Sequence, residues 1–240
     1  MKNVITAILI FFTATVFGQQ IHYFRVNMGP KTEFFTLENT QNIQKLTHVD
    51  VGAGAYLGFR FNPHVFAEIG VIKNDYSFKF EVPTTIGDEV LIAHENTVYP
   101  VYSSYQLGLL AGYETRLNED WIAYGKLGFH LFLSKKLDRT GTIASTKYLD
   151  NGDPVKVTWY SNDFEAGNLI FRGDLGFYRN VSENLALDFF VSGRSSNLVV
   201  NSALMTLESN AANEQNIVLN NKATSLGFNI GVKYKIRNLE

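Results

Sequence analysis

The sequence predicts an all-β chain, an eight-stranded antiparallel up-and-down β-barrel that spans a membrane with its strands. Three observations lead there. The first is the stretch Thr224–Arg237, TSLGFNIGVKYKIR. It sets Leu226, Phe228, Ile230, Val232, Tyr234 and Ile236 against Ser225, Gly227, Asn229, Gly231, Lys233, Lys235 and Arg237 without an error. That is the period of a strand with one apolar and one polar face. Its length suits the roughly 9–11 residues that a tilted strand needs to cross a bilayer. The second is that seven earlier stretches repeat the pattern. The third is that short turns and long loops alternate between them, as a meander of hairpins requires.

Composition and the N-terminal stretch agree. The chain is 45% hydrophobic and 18% charged, with a net charge of −2, which excludes a disordered chain and gives no basic surface for nucleic acid. It has 19 Phe, 12 Tyr and 2 Trp but no Cys, so disulfides, thiolate metal sites and a Cys nucleophile are excluded. Residues 1–18 read as a cleaved secretory leader: Lys2 precedes the apolar run Val4–Phe17, and Val16 and Gly18 stand at the small-residue positions. That run is too short for the ~20 residues of a spanning helix. Residues 19–240 are then the barrel domain.

The elements follow in order. Gln20–Met28 places Phe24, Val26 and Met28 opposite Tyr23, Arg25 and Asn27, and Gly29–Asp50 reads as a long loop. Val51–Phe61 sets Ala53, Ala55, Leu57 and Phe59 against Gly52, Gly54, Tyr56 and Gly58. Asn62-Pro63-His64 supplies turn formers. The third strand begins at Val65 and ends about Phe78, and a second long loop runs to Tyr102. Ser103–Leu117 carries Tyr105, Leu107, Leu109, Ala111 and Tyr113 on one face, and Asn118-Glu119-Asp120 turns the chain into Trp121–Ser134. Lys135–Gly167 is the longest loop. In it Asn151-Gly152 between Tyr148-Leu149 and Val155-x-Val157-x-Trp159 signals a projecting hairpin. Asn168–Val181, the turn Ser182-Glu183-Asn184 and Leu185–Ser195 follow, then a loop over Ser196–Ala223 and the closing strand. The short turns begin at 62, 118 and 182, spaced by one hairpin unit each.

Alternation does not by itself say which face points outward. Glycine crowds the polar face, at Gly52, Gly54, Gly58, Gly70, Gly108, Gly112, Gly128, Gly176, Gly227 and Gly231. This suits the tight inside of a narrow barrel better than a solvated strand. The same face carries Arg25, Arg60, Arg116, Lys126, Arg172, Arg194 and Lys233 with Glu68, Glu114, Asp174 and Asp188. These are expected to form a paired network in the lumen, as buried charges must. Tyr23, Tyr56, Tyr124, Phe132, Tyr178 and Phe190 are expected to fill the space around them, which disfavours a wide pore. On the apolar face Tyr105 and Tyr113 stand eight residues apart, roughly 20 Å along the membrane normal at ~3.3 Å per residue and ~40° tilt. That is near the apolar band and its aromatic girdles. Phe59, Phe61, Trp121, Phe177 and Tyr234 would form the girdle beside the short turns.

On these strands, the three turns and the closing LGFNIGVKYKI, the chain resembles the small eight-stranded outer-membrane barrel family, the OmpA/OmpX-like proteins, over Gln20–Arg237. The resemblance implies an outer-membrane location, contact with outer-membrane lipid and lipopolysaccharide, and insertion by the barrel-insertion machinery. The family usually ends its last strand on an aromatic at the C terminus, whereas here Tyr234 and Ile236 are followed by Arg237–Glu240.

No catalytic, cofactor or metal residue is expected. Gly52-x-Gly54 has its next glycine at 58, the wrong spacing for a dinucleotide turn, and no helix follows. Asp150–Asp153 lacks calcium-loop spacing. The five histidines show no metal spacing. The expected role is structural or surface-interacting, through four long extracellular loops. Tyr148, Trp159 and Tyr160 are the candidate surface for an extracellular or envelope protein partner. Two other readings stand beside it. One is a lipid A acyl-chain hydrolase, which needs Ser195 or Ser196 with a His base; Gly193–Asn197 lacks the His before the Ser, and His130 is the inward-facing candidate. The other is a soluble lipocalin-like carrier of a small apolar ligand, with the faces reversed.

Overall fold

The computed structural model describes residues 21–38, 44–45, 47–77, 80–81, 85–86, 89–92, 97–98, 101–133, 139–149, 154–162, 169–196, 199, 201–209 and 212–236. The expected leader over residues 1–18, the expected Asn151-Gly152 turn and residues 237–240 lie outside them.

Eight strands form the wall: Tyr23–Glu38, Val49–Arg60, Val65–Ser77, Val101–Arg116, Trp121–Phe132, Leu169–Asn180, Leu185–Ser195 and Ala212–Lys235. Each runs antiparallel to the next, and the first pairs back onto the eighth from Tyr23↔Lys235 to Glu38↔Val218. The sheet is closed, so no wall edge is left to satisfy. The chain is an eight-stranded up-and-down barrel, the architecture that the family resemblance implied.

Two of the three short turns are closed by an asparagine side chain, and the third by backbone bonds from Val181 and Ser182 N–H to the Leu185 carbonyl. Asn62 Oδ1 accepts from the backbone N–H of His64 and Val65, both at 2.8 Å. Asn118 Oδ1 accepts from Asp120 at 3.0 Å and Trp121 at 2.9 Å. Each side chain satisfies donors that a reversal would otherwise orphan.

All four expected long loops are in part strand. Residues 29–38 continue the first strand rather than opening a loop. Their polar composition hides a period of two, with Lys31, Glu33 and Phe35 buried and Phe34 exposed. Within that stretch the register runs unshifted from Met28↔Ile230 to Lys31↔Gly227, although Pro30 has no N–H to give. The last strand starts at Ala212, twelve residues before Thr224, and its first part pairs with Asn201–Ser209. The expected loop over 135–167 holds a hairpin, Arg139–Leu149 with Pro154–Asn162. The second arm of that hairpin pairs with Asn201–Ser209, and its first arm meets Leu91 and Ile92 at Leu149 and Tyr148. The hairpin, Asn201–Ser209, the head of the eighth strand, Thr85–Ile86 and Glu89–Ile92 thus join into one sheet that continues the wall past the barrel rim, while Gln44–Lys45, Phe80–Glu81 and Thr97–Val98 form a separate three-stranded sheet.

The join is marked by a bulge. Phe34 pairs with Thr224 but Phe35 with Asn221, so that Lys222 and Ala223 are inserted between the two pairs, and the Lys222 carbonyl accepts from the Ser196 N–H at 3.0 Å. Ala223 is fully buried, with φ of 52°, the left-handed region where a Cβ is strained. Ala223→Gly is expected to raise unfolding stability by about 0.5–1 kcal/mol, read as a higher urea midpoint.

The apolar face points outward. Phe24, Val26 and Met28 on the first strand are exposed, and so are Val71, Leu127, Leu175, Val191 and Ile230 on others. Tyr105 and Tyr113 are 55% and 56% exposed. In the girdle beside the short turns, Phe61, Phe177 and Tyr234 are exposed, and Trp121 meets Phe177 edge-on at 5.2 Å. Phe59 departs from the expected girdle: it is covered, at 5%. An apolar belt around a polar interior inverts the soluble arrangement, and a lipocalin-like carrier is not favoured.

Candidate functional site

The lumen is built from the inward residues of all eight strands. Among the described residues its buried charges are six cations, Arg25, Lys31, Lys126, Arg172, Arg194 and Lys233, and six anions, Glu33, Asp50, Glu68, Glu114, Asp174 and Asp188. The sequence reading, with seven cations and four anions, missed Lys31, Glu33 and Asp50. The first two lie on the continued first strand, and Asp50 lies on a second strand that starts at Val49. The period-two signal over residues 31–35 was their available mark.

Glu68 is the hub of the middle layer. It accepts from Arg25 Nη2 at 2.7 Å, Arg25 Nε at 3.1 Å, Lys126 Nζ at 3.1 Å and Tyr23 Oη at 2.9 Å. Arg25 reaches on to Asp188 at 3.1 Å, which also accepts from Tyr124 Oη at 2.6 Å. Arg172 donates to Asp174 at 2.6 Å and to Tyr56 Oη at 2.8 Å, and Lys126 lies 3.4 Å from Asp174. Aromatic faces help neutralise the cations. Arg25 sits 4.4 Å from the Tyr56 ring centre, and Lys233 sits 4.0 Å from those of Tyr23 and Tyr178. The six aromatics expected inside, Tyr23, Tyr56, Tyr124, Phe132, Tyr178 and Phe190, are all buried. The interior is a packed polar core, not a wide pore.

Towards the side of the long connections a chain of neutral groups runs from Arg194, beside the buried Lys31–Glu33 ion pair. Arg194 donates to Asn74 at 2.5 Å, Asn74 to Gln106 at 3.0 Å, and Gln106 to Ser104 at 3.1 Å. His130 Nδ1 lies 3.1 Å from the carbonyl oxygen of Gln106, which can only accept, so Nδ1 carries the proton. Nε2 is left to face Arg172 Nη1 at 3.5 Å. Both ring nitrogens are therefore engaged, while the Ser195 hydroxyl meets Thr224 Oγ1 at 3.4 Å. No Ser–His bond is made by Ser195, and the hydrolase reading gains nothing here.

The remaining predicted charges sit at the short-turn mouth. Arg60 is part-buried and pairs with Glu114, which also accepts from Tyr178 Oη at 2.9 Å and lies 3.6 Å from Lys233 Nζ. Arg116 is outside the buried network. It is exposed, donating to the carbonyls of Asn118 at 3.0 Å and Glu119 at 3.1 Å, because strand four ends there and its next inward position overhangs the turn.

For the candidate partner surface the backbone gives the register. Tyr148 pairs with Pro154 and Ile92, Trp159 with Gly141 and Met205, and Tyr160 with Thr140 and Leu204. All three lie on the sheet that extends the wall.

No protein-family model matches the chain, and no curated protein matches it. Among solved structures it is similar to the outer membrane protein OprG from Pseudomonas aeruginosa, with 11% identity over 92% of this chain and 98% of that one, at a TM-score of 0.48. It is also similar to Neisserial surface protein A, with 12% identity over 89% and 96% of the two chains, at a TM-score of 0.40. The β domain of the Bordetella autotransporter BrkA aligns at 8% identity over 89% and 98%, at a TM-score of 0.28.

Proposed function

We propose that this chain is a non-enzymatic outer-membrane barrel whose work is to hold a β-sheet platform outside the cell for contact with a protein partner. The observation that carries the reading is the continuity of wall and platform. The eighth strand runs 24 residues from Ala212 to Lys235, pairing first with Asn201–Ser209 and then with Leu185–Ser195. A platform sharing a strand with a closed wall is held in a fixed orientation, which is what a binding surface on a rigid scaffold needs. The outward apolar belt supports a lipid surround, and the balanced, packed lumen supports a structural role for the barrel interior. Lipopolysaccharide would be the lipid neighbour on the platform side.

Deleting the hairpin tip from Tyr148 to Trp159 tests the assignment. The expected result is a barrel that still reaches the outer-membrane fraction and still shifts its gel mobility on heating in detergent, with capture of the envelope or extracellular partner lost. A deleted chain that no longer gives the heat-dependent shift would mean that the platform is part of the fold's core rather than its working surface.

A further inference from the structure

The short-turn mouth holds charge that the lumen does not. A cavity of about 450 Å³ opens there, lined by His22, Arg60, His64, Glu114, Arg116 and Lys235 among others. This lies within the ~300–1,000 Å³ of small-molecule sites. Its floor is Tyr23 and Tyr178, so the cavity ends where the packed interior begins.

Among the described residues, Glu114 is the one carboxylate lining the cavity. It is buried, and it is shared by Arg60 and by Lys233 beneath it. Its Oε2 makes no hydrogen bond. Among the described residues the other two cations lining the cavity hydrogen-bond to neutral oxygens. Lys235 Nζ donates to the Asn180 amide oxygen at 2.8 Å, and Arg116 is braced by the Asn118 and Glu119 carbonyls. These bonds orient the cations without neutralising them. Lys235 lies within electrostatic reach of Arg60, Arg116 and Glu114, and burial is already felt at it. Among the described residues three cations, Arg60, Arg116 and Lys235, thus line the cavity with one carboxylate, and that carboxylate is also shared with Lys233 below. Arg116 is exposed and served by water, but Arg60 and Lys235 are only part-exposed. Concentrated like charge in a cleft with low-dielectric walls draws in the opposite charge. Guanidinium forks suit carboxylate and phosphate oxygens in particular.

We propose that the short-turn mouth is a binding site for a small oxyanion, a phosphate or carboxylate group of a diffusible molecule on that side of the membrane, held by Arg60, Arg116 and Lys235. Arg60 is already fixed by its backbone and side-chain partners: it donates to Tyr178 Oη at 3.2 Å and Pro63 O at 3.3 Å as well as to Glu114. Arg116 and Lys235, on the strand ends that flank the opening, close on the anion from the rim.

The test titrates the full-length barrel, folded in detergent micelles at low salt, with inorganic phosphate and separately with succinate, followed by calorimetry. Saturable binding of at least one is expected, and which one identifies the oxyanion. The double variant Arg116→Gln with Lys235→Gln leaves the buried Arg60–Glu114 pair intact. It is expected to weaken binding about tenfold or more, since each removed contact is a charge-assisted hydrogen bond. Arg179→Gln is the control. Arg179 is exposed on the outer face, 5.7 Å from the Trp121 ring centre, and its loss is expected to leave binding unchanged. Retention of the heat-dependent gel shift checks folding of each variant. Failure of both anions to bind saturably, or equal weakening by Arg179→Gln, overturns the site.

Discussion

Glu68→Gln is expected to destabilise the barrel by about 3–5 kcal/mol, the cost of breaking a buried ion pair and leaving its partners charged. Glu68 takes four donated hydrogen bonds from Arg25, Lys126 and Tyr23, and it is 2% exposed. A neutral amide keeps the shape but not the charge. Arg25 would retain Asp188 at 3.1 Å, and Lys126 would retain Asp174 at 3.4 Å, each now sharing one anion where it had two. The replaced amide would also turn a donor group towards two cations. The measurement is the urea midpoint of the folded barrel in micelles, followed by tryptophan fluorescence. Lys73→Gln supplies the scale: Lys73 is half-exposed and 3.9 Å from Asp75, so its loss is expected to cost below about 1 kcal/mol. An effect of Glu68→Gln no larger than that of Lys73→Gln would mean that water, not the Arg–Lys–Glu cluster, solvates the lumen.

Leu127→Arg is the complementary experiment on the other face. Leu127 lies midway along Trp121–Phe132 and is 73% exposed, among the most exposed leucines of the belt. On a water-facing surface the exchange of an exposed leucine for arginine stays within about 0.5 kcal/mol. In hydrocarbon the same exchange costs about 2–4 kcal/mol near the bilayer midplane. Refolding into phosphatidylcholine vesicles and titrating with urea is expected to show the larger loss. A neutral result in vesicles would remove the lipid surround from the reading. Because Leu127 contributes nothing to the lumen, the outcome is separable from that of Glu68→Gln.

The two experiments probe the two faces that period-two alternation predicts. That alternation is legible because a strand puts successive side chains on opposite sides whatever surrounds it. Phe24-x-Val26-x-Met28 and Leu226-x-Phe228-x-Ile230 needed no partner to be read, and the structure pairs them as Met28↔Ile230 and Val26↔Val232. Two of the short turns were legible for a similarly local reason, since Asn62 and Asn118 close their own reversals. Most of the candidate lumen network was legible too: Arg25, Lys126, Arg172, Arg194 and Lys233, with Glu68, Glu114, Asp174 and Asp188, all lie on inward positions.

The ends of the strands were not local. Lys31-Thr32-Glu33 looks like loop when read by polarity, because a charged residue on an inward position and one on a solvated loop are the same letters. Only the neighbouring strands make that stretch wall: the eighth, with Gly227 and Ser225 opposite Lys31 and Glu33, and the second, with Asp50 opposite Lys31. The ribbon of 139–149, 154–162, 201–209 and 212–221 likewise depends on pairings between segments far apart in the chain. A hairpin's own turn chemistry predicts the hairpin, but nothing local states which hairpin lies beside which. The charge excess at the mouth has the same origin. Arg60, Arg116 and Lys235 come from three strands, and only closure of the barrel brings them around one carboxylate. The sequence by itself determined the alternation, the strand number, the turns and the polarity of each face, because these follow from backbone geometry within single segments. Tertiary structure alone decided strand length, platform register and the balance of charge at each level, because these are set by what a strand meets across the sheet and across the lumen.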